Sequence, residues 1–225
     1  MEIVDIYRET RARLCGLGRE LTDDEAASPC PATPEWTVKD VYAHQAGVAA
    51  DILAGRLEGV ATDPWTARQV AARRDLTLAD VLDEWDGNAP ALEELLANLG
   101  DAVDPRLLID LWTHEQDVRH AVDRPGGRDS SAARYAWEPL VDGLDAAIRH
   151  AGLDALELRT GEATVVVGGD TATATVEVPR YELLRASLGR RSPAQMRAWA
   201  WRGDPEPYLA VLPQFGPRDD DLVEG

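Results

Sequence analysis

The sequence predicts an α+β protein, with an antiparallel helical bundle over residues 1–152 and a small α+β domain over residues 153–225. Two observations carry that expectation. Through the first two-thirds of the chain, apolar residues recur at helical spacing between capping residues and short connectors, and helices joined in this way pack most naturally as an antiparallel bundle. After Gly152 the pattern changes to short β-branched runs separated by glycine-containing turns, which is how strands read. The length, 225 residues, suits one large domain or a domain with a small companion.

Each element follows from its own residues. Residues 2–21 place Ile3, Ile6, Tyr7, Leu14 and Leu17 on one face of a first helix. Pro29, Pro31 and Pro34 make a connector that cannot continue it. Thr37 with Asp40 three residues on resembles a capping box, and Val38, Val41, Gln45, Val48 and Ile52 mark the buried side of the helix it opens. A third helix is expected from about Thr77 to Leu99, with Leu78, Val81, Leu82, Trp85 and Leu92 inward and Gly100 as its stop. A fourth follows Asp104-Pro105 and runs to about Val122, and a fifth spans roughly Ser131 to Ala151. Beyond the boundary near 152, LELRT, ATVVVG and ATATVEV predict a small antiparallel meander. Helices return at about Arg180–Leu188 and Pro193–Trp201, and the acidic tail PRDDDLVEG is expected to be solvated.

Charge excludes some functions. Lys and Arg number 23 against 41 Asp and Glu, a net charge of −18, so neither nucleic acid nor an anionic membrane is an expected partner. No apolar run approaches the ~20 residues needed to span a bilayer, and the N-terminal MEIVDIYRETRARL is charged rather than signal-like. A cytoplasmic protein is expected, as a monomer or homodimer. Cys15 and Cys30 show no metal or redox spacing and read as reduced thiols with no base beside them in sequence.

The four histidines are more informative. On the fourth helix, LLIDLWTHEQDVRHAV puts Asp110 and His114 one turn apart on the same stripe as Leu107, Leu111, Val118 and Ala121. A carboxylate on an apolar face needs a partner, because burying it unpaired costs several kcal/mol. His44 borders the buried stripe of the second helix. His44, Asp110 and His114 could therefore converge as a three-ligand site for Zn2+ or a similar divalent ion, with a coordination position left open. Asp110 and His114 could equally form a buried hydrogen-bonded pair without a metal. Asp117 could orient His114, or pair with Arg119 or Arg124, or stay solvated. Glu115, His120 and His150 read as solvent-facing. The tryptophans read as packing residues, with Trp112 placed to wall a pocket.

WTVKDVYAH, followed some seventy residues later by D-x-x-x-H-x-x-D-V-R and then by RYELLRASLGRRSPAQMRAWAWRGDP, resembles the mycothiol-dependent maleylpyruvate isomerase family of the DinB-like metal-binding four-helix-bundle superfamily. The resemblance implies a divalent metal, usually zinc, held by His44, Asp110 and His114, although Asp110 stands where the family has the longer Glu. It also implies mycothiol as the thiol cofactor, and a small electrophile, possible carboxylates included, as substrate. The activity it implies is cis–trans isomerisation or thiol S-transfer. The family's C-terminal domain helps close the cleft, which makes Arg190, Arg191 and Arg202 candidate catalytic receivers of a substrate carboxylate; each could instead be a surface arginine balancing the many acids. Two other readings remain open: a non-catalytic ligand- or metal-binding protein, and a thiol-independent enzyme on the same scaffold.

Overall fold

Four helices start on the same local device. Thr22, Thr37, Thr77 and Ser192 each accept a backbone N–H from the residue three positions on, and the side chains of Glu25, Asp40, Asp80 and Gln195 reach back to the cap's own N–H. Two amides that a helix start leaves without intrahelical partners are thereby satisfied together. The computed structural model describes residues 1–224, and the chain forms two compact units, Met1–Gly127 and Arg128–Gly225.

The first unit contains α1 (Ile3–Glu20), α2 (Asp23–Ala27), α3 (Val38–Leu53), α4 (Asp63–Ala72), α5 (Leu78–Leu99), a single 3-10 turn at Gly100–Ala102, and α6 (Arg106–Ala121). α5 packs on both α1 and α3, and α6 packs on the same two helices, so these four close a bundle. Ion pairs Arg8–Glu93, Arg11–Asp86 and Arg19–Asp83 run down one helix as they run up the other, which makes α1 and α5 antiparallel. The stripe expected on α1 is buried throughout, and Val81, Leu82, Trp85 and Leu92 of α5 are buried too. Two buried aromatic side chains pair their polar ends: the Trp85 indole N–H donates to the Tyr7 hydroxyl at 3.0 Å, and the Tyr42 hydroxyl donates to the Leu14 carbonyl at 3.0 Å. Two helices, α2 and α4, are too short to announce themselves by periodicity.

One expectation on α6 is reversed. Glu115 is fully buried, and its two oxygens accept Arg13 Nε at 2.9 Å and Arg13 Nη2 at 2.8 Å, with Arg119 Nε at 3.1 Å. Helix α1 crosses that face of α6 and brings Arg13 with it, which periodicity along α6 alone cannot reveal.

The second unit contains α7 (Ser131–His150), β1 (Ala155–Arg159), β2 (Thr164–Val167), β3 (Ala172–Glu177), α8 (Arg180–Ser187), α9 (Pro193–Arg197), β4 (Ala200–Arg202) and α10 (Glu206–Leu209). Its division from the first unit falls at 127/128, ahead of the boundary near 152 read from the sequence. The reason is packing: Leu144 and Ile148 of α7 belong to one core with Leu156, Leu158, Val167 and Val176 of the sheet. The strands are not a meander. Their order is β2-β1-β3-β4, with β1 antiparallel to β2 but parallel to β3. Residues 168–171 carry the chain from the end of β2 past the start of β1, so that Ala172 lies opposite Ala155. Gly168, at φ +86°, makes that passage; its N–H donates to Asp145 Oδ1 at 2.7 Å, and a side chain there would collide with Ile148. The expected helix to Trp201 ends at Arg197, and 200–202 pairs with β3 instead, Trp201 opposite Val176.

The tail is solvated only in part: Asp219, Asp220 and Asp221 are exposed as expected, but Leu222 and the Glu224 side chain are buried, and Glu224 accepts Arg185 Nη2 at 2.5 Å, Arg191 Nη2 at 2.8 Å and the Tyr181 hydroxyl at 3.0 Å. Ser192 donates to Asp221, and the Gln195 amide donates to the Leu222 carbonyl at 2.8 Å. Burial pushes the Glu224 carboxyl up, but the Arg185 and Arg191 guanidiniums outweigh it and hold the group below the usual carboxylate range. A folded pKa below the unfolded one means that the stabilisation is complete above the unfolded value of about 4.3 and is lost as pH falls through the folded value. The denaturant midpoint of the second unit should therefore fall as the pH is lowered below about 4, and less steeply in Glu224→Gln. Equal slopes for the two proteins would show that Glu224 is not the group responsible.

Candidate metal centre

Two helices bring the three ligand-type side chains together. His44 sits in the second turn of α3, whose start is set by the Thr37–Asp40 box. Asp110 and His114 lie one turn apart on α6, which follows Pro105. One atom from each of His44, Asp110 and His114 lies within 4.8 Å of the others. His44 Nε2 is 3.2 Å from Asp110 Oδ2, and His114 Nε2 is 3.4 Å from Asp110 Oδ1. The Gln45 amide donates to Asp110 Oδ2 at 2.7 Å. Both histidines are buried, whereas the Asp110 side chain keeps 36% of its surface exposed. Asp110 is thus the most open member of the cluster, only partly buried where its helical stripe suggested full burial.

The remaining ring nitrogens face outward to partners. His114 Nδ1 is 3.0 Å from Asp117 Oδ2, and Asp117 is fully buried, so of the alternatives for this residue the structure selects the orienting one. His44 Nδ1 is 2.7 Å from Gln69 Oε1 on α4. A carboxylate and an amide oxygen only accept hydrogen bonds, so each Nδ1 must carry the hydrogen. In the neutral imidazoles both Nε2 lone pairs then aim at the Asp110 carboxylate, and acceptors converge with the Gln45 amide as the donor among them. Such an arrangement fits a cation. For metal–ligand bonds of about 2.0–2.1 Å, tetrahedral ligand atoms stand roughly 3.3 Å apart, and the 3.2 and 3.4 Å separations, each to a different Asp110 oxygen, lie near that spacing, while one atom from each of the three residues lies within 4.8 Å of the others. The shorter Asp110, in place of Glu, still reaches both imidazoles.

The electrostatics show the same demand for positive charge, which a proton on His114 meets when no ion is bound. Burial pushes the Asp110 carboxyl up, but His44 and His114 outweigh it and hold the group well below the usual carboxylate range. Burial lowers His114, yet Asp110 and then Asp117 reverse that and push it up to about 9. Two tryptophans flank the rings: Trp36 lies 5.3 Å from His44 and 5.8 Å from His114, and Trp65 meets His44 edge-on at 6.4 Å. Trp112, expected to wall the site, is wholly buried and gives its indole N–H to the Gly127 carbonyl at 3.2 Å.

Neither cysteine belongs to the cluster. Cys15 and Cys30 are both buried; burial pushes the Cys15 thiol up to about 11, and burial followed by Asp117 raises Cys30. Neither is poised as a nucleophile. Arg190, Arg191 and Arg202 belong to the second unit. Arg191 is buried, and its charge is taken by Glu182 at 2.6 Å and Glu224 at 2.8 Å, so its role there is structural. Arg190 donates to the Leu188 carbonyl at 2.7 Å, and Arg202 is exposed on β4. His150 is exposed and His120 half-buried, near the surface as expected. Sequence reasoning missed Gln69. The signal that could have pointed to it is Gly47, a glycine in mid-helix that costs about 1 kcal/mol relative to Ala unless something needs the room.

A four-helix bundle whose facing helices converge two imidazoles and a carboxylate, each ring braced from behind, defines a bundle domain with an internal cation-type site. The chain belongs to the mycothiol maleylpyruvate isomerase family: residues 7–119, just over half of the chain, match the family described as mycothiol maleylpyruvate isomerase N-terminal domain. That stretch contains His44, Asp110 and His114. No curated protein and no solved structure matches the chain. Among the described residues no helix is long and apolar enough to cross a membrane.

Proposed function

We propose that the protein is a metal-dependent enzyme that uses a low-molecular-weight thiol, mycothiol, on a small electrophilic substrate, as a cis–trans isomerase of the maleylpyruvate type or a thiol S-transferase. The observation that carries this reading is the set of committed donors at the cluster: both Nδ1–H groups are spent on Gln69 and Asp117, so the inner lone pairs and the Asp110 carboxylate call for a cation. In this reading His44, Asp110 and His114 hold the ion, with Zn2+ well matched to two imidazoles and a carboxylate. When bound, such an ion supplies a position at which a thiol is kept as its nucleophilic thiolate at neutral pH.

The chain's own residues do the rest. Gln45 holds the Asp110 carboxylate in place, and Asp117 and Gln69 fix the two rings. Trp36 and Trp65 present apolar faces beside the imidazoles and keep water from them. The partly exposed edge of Asp110 is the side from which a ligand approaches. Since Cys15 and Cys30 are buried with raised pKa values, the reacting sulfur comes from a cofactor and not from the chain.

Protein purified without chelator is expected to carry near-stoichiometric divalent metal and, with mycothiol, to isomerise maleylpyruvate or to conjugate the thiol to a model electrophile. Full metal content in both His44→Ala and His114→Ala would sink the ligand assignment. Metal-replete protein inert toward maleylpyruvate and an electrophile panel would favour a binding role instead. Turnover with no thiol requirement and no thiol adduct by mass spectrometry would point to a thiol-independent enzyme.

A further inference from the structure

The Asp51 carboxylate accepts Arg56 Nε at 2.8 Å on one oxygen and Gln69 Nε2 at 2.8 Å on the other. A carboxylate that receives an N–H on each oxygen has no proton to offer, so the Gln69 amide must turn its NH2 end toward Asp51. Its oxygen is then left facing His44 Nδ1 at 2.7 Å. We propose that Gln69, held in this sense by Asp51, is a positioning residue that fixes His44 as the Nδ1–H tautomer and so presents the Nε2 lone pair to the Asp110 side of the site. The consequence for metal affinity rests on the metal reading above; the tautomer assignment does not.

Three further features keep Gln69 in place. Gln69 is 3% exposed, and its backbone carbonyl accepts Arg73 Nη1 at 3.0 Å. Arg73 is itself tied to Glu84 of α5 through Nε at 2.9 Å, so α4 is anchored on a second helix of the bundle. Opposite, Gly47 of α3 leaves the space that the Gln69 side chain fills: a Cβ at 47 would lie 2.5 Å from Gln69 Cβ and 2.7 Å from its Cγ. Free imidazole has no such constraint, and a buried ring whose outer nitrogen lost its acceptor would turn its N–H inward. The two rings are thus braced differently, His114 by a carboxylate and His44 by a neutral amide whose orientation a second carboxylate dictates.

The test combines nitrogen NMR of histidine-labelled, metal-free full-length protein, taken at alkaline pH where the imidazoles are neutral, with Zn2+ affinity by chelator competition. Wild type is expected to show His44 protonated on Nδ1. Gln69→Leu should shift the proton to Nε2 and weaken Zn2+ by about 10- to 100-fold, and Gly47→Ala should do the same by displacing Gln69. The double variant Gln69→Glu with Asp51→Asn reverses the bond between 51 and 69 but leaves an acceptor facing His44, and should keep Nδ1–H and recover the affinity. That recovery separates positioning from mere packing. Retention of Nδ1–H in Gln69→Leu, or Zn2+ binding in that variant equal to wild type, would overturn the proposal. Wild type that shows the Nδ1–H tautomer yet binds no Zn2+ supports Gln69's role and overturns the metal reading alone.

Discussion

His114→Ala is expected to lose metal binding by roughly 100- to 1,000-fold, measured by chelator competition on the full chain. A structural Zn2+ site is worth about 10–16 kcal/mol, which over four ligands gives roughly 2.5–4 kcal/mol each, and 1.4 kcal/mol is a factor of ten. His44→Ala should cost a similar factor in affinity. The two variants should differ in the stability of the metal-free protein. His114→Ala removes the N–H that donates to Asp117, a fully buried carboxylate, and hydrogen bonds to charged groups are worth about 1.5–3 kcal/mol. His44→Ala leaves only a neutral amide oxygen without that donor, for about 1 kcal/mol. The metal-free His114→Ala protein should therefore unfold at lower denaturant than His44→Ala. The reverse order would show that Asp117 does not depend on His114.

Arg185→Ala is expected to destabilise the second unit by about 3–5 kcal/mol, the range for removing one member of a buried ion pair. Arg185 and Glu224 are essentially inaccessible, at 0% and 1% side-chain exposure, so solvent screening gives no relief. The loss would appear as a lowered urea midpoint for residues of the second unit, followed by a probe such as Trp201. Combining Arg185→Met with Glu224→Leu, which removes both charges but leaves Arg191 to Glu182, should recover part of it. No recovery in the double variant would mean that the tail is held by its apolar contacts, Leu222 above all, and not by the pair.

Much of the helical architecture was legible locally. Thr37–Asp40, Thr77, Gly100 and Pro105 each act within a turn of their own position, so the bounds of α3, α5 and α6 follow from residues at those bounds. The coincidence of Asp110 and His114 on one helix face is equally local. What periodicity along one helix leaves undetermined is what the neighbouring helix brings. Glu115 is buried because α1 delivers Arg13, and Trp36 and Trp65 flank the site although they sit outside the helices that carry the histidines. Gln69 comes from a ten-residue helix too short for a periodic signal.

The second unit shows the same division more sharply. Its three β-branched runs are strands, as their composition requires, but composition does not choose their neighbours. The passage of 168–171 across the start of β1 makes β1 and β3 parallel partners, and leaves the free edge of β3 for β4. The acidic tail reads as a solvated end because its four acids prefer water on their own. Arg185 and Arg191, more than thirty residues earlier, reverse that preference for Glu224.

The class of the fold, the three residue types that meet at the site and the spacing that lets two of them share a helix face are written in the chain locally, because they depend on backbone periodicity and on interactions within a turn. Which nitrogen of each imidazole faces inward, that Asp110 is the open edge, and which charges are buried emerge with the packed helices. Those outcomes are set by partners distant along the chain, and burial and hydrogen-bond direction are properties of the assembled neighbourhood rather than of any one residue.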